Sequence, residues 1–549
     1  MNPSTPSPRR RIFRGYGPLV AFALVFLLMA VFFPTVGRKV VNVNGVGAAA
    51  GDGGDQVDTG AGTAGQAGTA GQAGAAGGTG AAAAAAKGAP PPGSAGACPD
   101  RTLQVPGDTY SPPCVAFSGS NGGATTRGVT SDTINVAVRL TNDPGFQQAL
   151  AQAAGAQLTD TEDDIKRTTN VLVDYFNSHF QLYGRKIKLD YFNGKGSALT
   201  ELQGGGQEEA QADAISVSDQ IKAFAELNGG TEPYADALAR RQVMNFGAPY
   251  LSREWLTQRR PYSWSVATDC SIITESMTTW VLTRLGRKPA AWAGGSLKNQ
   301  ARKYAVIAPE NPWYQECVDA GKKIAAQHGE HFDDSITYKF DLNSLSDQAA
   351  NIVAKLKSDH ITSVVLGVDP ILPVFLTAKA KEQDYQPEWL VAGTALTDVD
   401  IVGQLYDQDQ WSHAFGISYL GSYQPVRASY GYNAYKVMDP KNEPAQIVDI
   451  IYYQLYMLAL GIQLAGPQLT PQAFERGMFS YPGGNGPAGH WGFGPGEYTP
   501  TQDAREIYWD RNAVSTQNNK PGAYIESEPG KRYKSGQWPP GDPPVFVQH

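Results

Sequence analysis

His328-Gly-Glu-His331, followed by Asp333 and Asp334, brings together imidazole and carboxylate groups, the donor types that hold a transition metal. The run falls between a helix and a strand, where a solvated turn is expected, so no metal is assigned to it. Gly60-Ala-Gly62-Thr-Ala-Gly65 and Gly484-Asn-Gly486-Pro-Ala-Gly489 both fit G-x-G-x-x-G, a turn that cradles phosphate when a strand leads into it and a helix follows. No strand precedes either, and Pro487 interrupts the second, so both read as loops and no nucleotide is expected. Neither a G-x-S-x-G elbow nor an H-E-x-x-H helix occurs. Nothing demands catalysis, and the chain reads as a binding protein with no catalytic residue and no cofactor.

What remains is the chemistry of capture. Ligands of open α/β sheets sit beyond the carboxyl ends of strands, where loops feed helix N-termini. The candidate loops are therefore Thr141 and Asn142 after a strand ending at Val138, Asn228 to Thr231 after one ending at Ala225, and Tyr250 to Ser252 after one ending at Phe246. Gly229 and Gly230 would let backbone approach a ligand closely; the plain alternative is that Asn-Gly-Gly-Thr is only a turn. Trp313 and Tyr314 follow a strand at 304–308, and Asp369 follows one at 361–368. An aromatic ring can cap a ligand and a carboxylate can pair with an ammonium, whereas the bland readings are a core tryptophan and a helix start.

The elements that would position these residues alternate. A strand at 134–138 is followed by a helix opening at Asp163, whose Ile165, Leu172, Phe176 and Phe180 share one face at spacings of seven, four and four. A strand at 185–192 alternates Ile187, Leu189 and Tyr191 with polar neighbours. Strand-like 222–225, a helix at 234–241 and a strand at 242–246 continue the rhythm. A helix follows Cys270, and a second strand series falls at 304–308, 335–340, 361–368 and 389–392, with helices between. Ser344 to Asp347 reads as a capping box. Two α/β units with parallel sheets are the natural host. The apolar run 447–465 is interrupted by Asp449, Gln454 and Gln463 and reads as a buried core helix, not a membrane span. Beyond Arg511 the Pro/Gly/Lys-rich end reads as a peripheral tail.

The chain has 549 residues, 42% hydrophobic and 18% charged, with a formal net charge of −7 and no basic stripe of the kind a nucleic acid requires. Basic residues gather only at the start: Arg9, Arg10, Arg11 and Arg14 precede an uncharged run from Gly15 to Gly37, with Arg38 and Lys39 beyond. At about 20 apolar residues per bilayer crossing the run can span, and the positive-inside bias exports the chain beyond Arg38. It serves either as an uncleaved anchor, the reading adopted, or as a signal cut near Gly47 to Ala50. Residues 38–97 read as a Gly/Ala-rich, disordered tether. Four cysteines in an exported chain, Cys98, Cys114, Cys270 and Cys317, favour two disulfides. Three connectivities are open; Cys98–Cys114, closing a Pro-rich loop, and Cys270–Cys317, tying two α/β segments, are the adopted pairs.

Gly128-Val-Thr-Ser-Asp-Thr-Ile-Asn-Val-Ala-Val138 and Val173-Asp-Tyr-Phe-Asn-Ser-His-Phe-Gln-Leu-Tyr-Gly-Arg-Lys-Ile-Lys-Leu189 resemble the opening strand, first helix and second strand of the type I periplasmic binding proteins of the branched-chain amino acid (leucine-binding) class. Gln220 to Glu226, Asn245 to Ser252 and Tyr385 to Trp389 then come in that family's order. The resemblance covers roughly Gly128 to Asp510. It implies two doubly wound lobes, joined by a hinge of three crossovers, that close on a small polar solute, such as an amino acid or amide, for an ABC importer permease. Its implied boundaries are a lead-in at 98–127, a first lobe from 128–285 and 420–489, a second from 286–419 and 490–511, and a tail at 512–549. It also implies that Thr231 and Ser252 offer hydroxyls to a ligand carboxylate. Where the family places an acid after its strand at 389–392, this chain has Gly393-Thr-Ala-Leu396 and only then Asp398. A ligand-sensing ectodomain is the alternative function, with an enzyme third.

Overall fold

The computed structural model describes residues 98, 102–140, 161–247, 250–421, 425–445 and 447–546. The N-terminal apolar run, the tether, and candidate ligands Thr141 and Asn142 lie outside them.

The first lobe is built on a parallel sheet of β1 (Thr133–Leu140), β2 (Lys186–Asn193), β3 (Ala225–Glu226) and β4 (Met244–Asn245), in the order β2-β1-β3-β4. Helix α1 (Glu162–His179) links β1 to β2. Its start is a reciprocal cap: the Asp164 N–H donates to the Thr161 hydroxyl at 3.1 Å and the Thr161 N–H to the Asp164 carboxylate at 2.8 Å. Leu172, Phe176 and Phe180 are buried, as the spacing requires. Short helices α2 (Ala198–Leu202), α3 (Gln207–Ile215), α4 (Glu232–Arg240) and α5 (Arg253–Gln258) complete this side. The strand-like 222–225 shrinks to β3 because Lys222, at φ 55°, terminates a π-helical turn and cannot also extend.

The second lobe contains α6 (Cys270–Trp280), β5 (Tyr304–Pro309), α7 (Pro312–Gln327), β6 (Asp334–Tyr338), α8 (Leu345–Ser358), β7 (Ser363–Leu366), α9 (Leu372–Glu382), β8 (Glu388–Val391) and β9 (Ala414–Ser418). Its parallel strands run β6-β5-β7-β8-β9. Because successive side chains face opposite sides, β5 sends Tyr304, Val306 and Ala308 toward α6 and α7, and Ala305 and Ile307 toward α8 and α9. Helix α6 falls inside the segment assigned to the first lobe, yet it packs on α7 and this second sheet. The capping box at Ser344 does not form: its hydroxyl donates to the Asp341 carboxylate at 2.8 Å and leaves the helix start uncapped by a side chain.

The chain returns to the first lobe through α10 (Tyr430–Met438), α11 (Val448–Ala465) and α12 (Pro471–Phe479). Helix α11 is the long apolar helix, and it is a core helix. Gln454 donates to the carbonyls of Leu227 at 2.7 Å and Phe246 at 3.2 Å, and Asp449 accepts from the Gly431 N–H at 2.9 Å. These polar groups find partners inside protein, as burial demands.

The segment around Gly484 is a small antiparallel hairpin, β10 (Gly484–Gly486) with β11 (Gly489–Trp491), not an irregular loop. The end of the chain is no peripheral tail. β12 (Asp503–Val514) pairs antiparallel with β9, and β13 (Pro521–Glu526) and β14 (Tyr533–Lys534) pair with β12. Trp538 is buried against α6, its indole N–H donating to the Ser276 carbonyl at 3.0 Å. Arg284, just beyond α6, pairs with Glu506 at 2.6 Å and donates to the Pro539 carbonyl at 3.1 Å.

Candidate ligand-binding site

The carboxyl end of the first-lobe sheet carries a buried charge network. Arg139, fully buried near the end of β1, contacts Glu201 of α2 at 2.9 Å and Asp213 of α3 at 3.2 Å, and its guanidinium carbon lies 3.5 Å from the centre of the Tyr234 ring. Burial opposes its charge, but Glu201, with Tyr234 and Asp213, more than offsets that and holds Arg139 above its ordinary pKa. The Arg139 N–H donates to Glu226 at 2.9 Å, yet burial pushes the Glu226 carboxyl up to about 8.

The loop from Asn228 to Thr231 belongs to this network. The Asn228 amide donates to the Arg139 carbonyl at 2.9 Å, and the Thr231 hydroxyl donates to Glu201. Gly229 packs against Asn245 and, with Gly230, against Gly247, too close for a side chain at Gly247. The Ser252 hydroxyl caps α5 by accepting from the Trp255 N–H at 2.9 Å and reaches across to Glu316 of α7 at 2.9 Å. A second bridge joins the lobes where Asn311, preceding α7, donates to the Leu202 carbonyl at 3.3 Å. The structure therefore brings the two lobes into direct hydrogen-bonded contact.

Beside these bridges lies a cavity of ≈ 180 Å³. Its mouth is at the carboxyl ends of β5, β7 and β8. Leu199 and Leu202 of the first lobe face Asn311, Tyr314, Asp369 and Thr394 of the second, with Tyr250 beside them. Tyr250, Tyr314 and Asp369 are the sequence candidates that converge here. Asp369 is fixed from within the lobe: it accepts from the Tyr338 hydroxyl and from the N–H groups of Ile371 at 2.7 Å and Leu372 at 3.1 Å. Burial still pushes its carboxyl above the ordinary value. Trp313 points elsewhere, packing against the main core. Asp398 is buried and does not line the cavity; it accepts from Ser418 at 2.6 Å, with burial raising it to about 6.

Asn311 and the Leu199–Leu202 helix were not among the sequence candidates. Asn311-Pro312 directly after a strand is a helix-start signal that could have pointed to the first. Both disulfides pair as adopted, Cys98 with Cys114 and Cys270 with Cys317, the latter lining the cavity and tying the start of α6 to α7.

The family described as "Periplasmic binding protein" matches residues 149–513, more than half of the chain. Among solved structures, a substrate-binding protein of an ABC transporter from Aeropyrum pernix has 14% identity and a TM-score of 0.51, covering 74% of this chain and 96% of that one. A solute-binding protein from R. palustris in complex with 4-hydroxybenzoate has 14% identity and a TM-score of 0.51, with 74% and 98% covered. A leucine-, isoleucine-, valine-, threonine- and alanine-binding protein from Brucella ovis in its closed conformation has 10% identity and a TM-score of 0.52, with 75% and 98% covered. No curated protein matches the chain. The two lobes, their parallel sheets and the cavity at their strand ends agree with the family match: the chain belongs to the periplasmic binding protein family, with the type I fold.

Proposed function

We propose that this protein is the extracytoplasmic solute-binding component of an ABC importer, closing its two lobes on a small molecule and presenting it to a permease. The observation that carries this reading is the cavity whose mouth is lined from both lobes, by Leu199 and Leu202 on one side and Asn311, Tyr314 and Asp369 on the other. Ligand contacts to both lobes are what make closure depend on ligand, since only differential affinity for the closed state can shift the equilibrium. An amino acid or amide would hold its polar end at this mouth. The Arg-flanked run from Gly15 to Gly37 supports a membrane-tethered placement with the lobes outside.

The full chain, titrated with a broad panel of amino acids, amides and organic acids and followed by thermal unfolding, is expected to gain stability with at least one member. A panel without any stabiliser would sink the reading. The same tether supports a second reading, a ligand-reporting ectodomain. Deletion that abolishes uptake of the stabilising solute supports transport, whereas intact uptake with altered envelope signalling supports the sensor.

A further inference from the structure

The cavity does not stop at the cleft. Cys270, Ile273, Thr274, Met277, Thr278 and Val281 form one stripe of α6 and its extension, and Tyr314, Cys317, Val318 and Gly321 one stripe of α7. The sheet face beneath supplies Val306, Ala308, Val365 and Ala392, and Phe332, beside Gly321, completes the lining on the α7 side. At 1.5 Å per helical residue, the stripe from Cys270 to Val281 is about 16 Å long. The space thus runs inward from the mouth, between sheet and helices, inside the second lobe.

Two features show that this space is roofed with the chain's own devices. Gly321 lets the helices approach: a Cβ there would meet Thr274 Cγ2 at 2.8 Å. The Cys270–Cys317 bond ties the same pair at the mouth end. An unfilled apolar void costs stability in proportion to its volume, and helices held this closely keep one nonetheless. Cavities of about 150 Å³ with Leu/Ile/Phe walls stay dry and take a benzene-sized guest.

The walls also specify charge. None of the lining residues is Lys, Arg or His. The single acid, Asp369, already accepts from three donors. An anionic group carried inward would find no cationic partner, and burying it unpaired is strongly unfavourable.

We infer that the site takes an amphiphilic solute with its apolar part inward: an uncharged ring or short hydrocarbon chain inserts beneath α6 and α7, and the hydrogen-bonding end stays at the mouth among Tyr250, Asn311 and Tyr314. This rests on the solute-binding reading and adds the class of solute and its orientation.

The test titrates the full chain calorimetrically with toluene and 4-methylphenol as neutral probes, and with phenylacetate and phenylalanine as charged counterparts. Met277→Trp fills the cavity from α6 and Val318→Trp from α7, so a fold defect in one leaves the other to be read; Met277→Leu is the conservative control. The neutral probes are expected to bind wild type and Met277→Leu, and to bind folded Trp variants at least about tenfold more weakly. Binding of the charged compounds without the neutral ones overturns this inference and leaves the solute-binding reading standing. Neutral binding that is unchanged in both Trp variants places the probes elsewhere and also overturns it. No binding by any of the four overturns this inference, and a solute panel that also stabilises nothing removes the solute-binding reading with it.

Discussion

Asn311 hands its side-chain amide to the Leu202 carbonyl 3.3 Å away, joining the N-terminus of α7 in one lobe to the end of α2 in the other. Ser252 and Glu316 make the companion bridge. Both cross the cleft beside the cavity mouth, so they favour the closed arrangement without touching the sheets. A single such hydrogen bond contributes about 1 kcal/mol, roughly a fivefold change in an equilibrium. Glu316→Ala removes one bridge while leaving the Ser252 cap on α5 in place. It is expected to shift the chain toward open forms, read as a larger radius of gyration by small-angle scattering, with melting behaviour close to wild type.

Arg139 is a different kind of contact. Replacing it with Met leaves Glu201 and Asp213 buried without their cation, a loss of about 3–5 kcal/mol for a broken buried pair. Urea unfolding should show a large fall in midpoint for Arg139→Met. Adding Glu201→Gln and Asp213→Asn to it should restore a good part of the loss, because the uncompensated charges then go too.

Several buried carboxyls bind protons more tightly folded than unfolded. Burial raises Glu226 to about 8, Asp449 to about 7, and Asp108 and Asp269 to about 6. Between their unfolded values and these, the native state holds more protons, so the stability slope with pH is negative. The fold should therefore be more stable near pH 5 than near pH 8, a direction opposite to that of a protein governed by salt-bridged carboxylates. Glu226→Gln should flatten the upper part of this slope in a melting series across pH. An unfolding midpoint that rises from pH 5 to 8 would contradict the assignment.

The Cys270–Cys317 bond spans a sequence separation of 47 residues. The chain-entropy relation assigns a loop of that size about 4 kcal/mol. The Cys270→Ser/Cys317→Ser pair should lower the melting temperature, and should loosen apolar-probe binding in the same samples if α6 drifts from α7.

Much of the architecture is written in local patterns. Leu172, Phe176 and Phe180 announce α1, and the strand-end rule leads to Tyr250, Tyr314 and Asp369 at the cavity mouth. The parts that escaped depend on choices between partners. Ser344 has the right type for a cap, but Asp341, three residues earlier, takes its hydroxyl. Thr231 and Ser252 look like ligand hydroxyls, yet Glu201 and Glu316, distant in sequence, receive them. Arg139 draws no notice in the sequence because its partners, Glu201 and Asp213, reach it only through the packing of α2 and α3. The inner cavity wall mixes α6, α7 and three strands, and no single periodicity reports that convergence.

The closing strands bear on how the protein can be cut for study. A fragment ending at Arg511 retains the whole family-like pattern and looks complete from sequence. It would lack β13 and β14, the Trp538 contact to Ser276 and the Pro539 carbonyl that Arg284 uses. The Trp538 contact holds α6 on a side away from the cavity it walls, and the Arg284 contact holds the turn that follows it. Such a fragment is expected to melt earlier and to exchange the amide hydrogens of α6 faster than the full chain, while those of α11 keep their protection. The unpromising Pro/Gly-rich terminus is thus a buckle: fastened, it keeps one wall of the solute chamber from swinging outward.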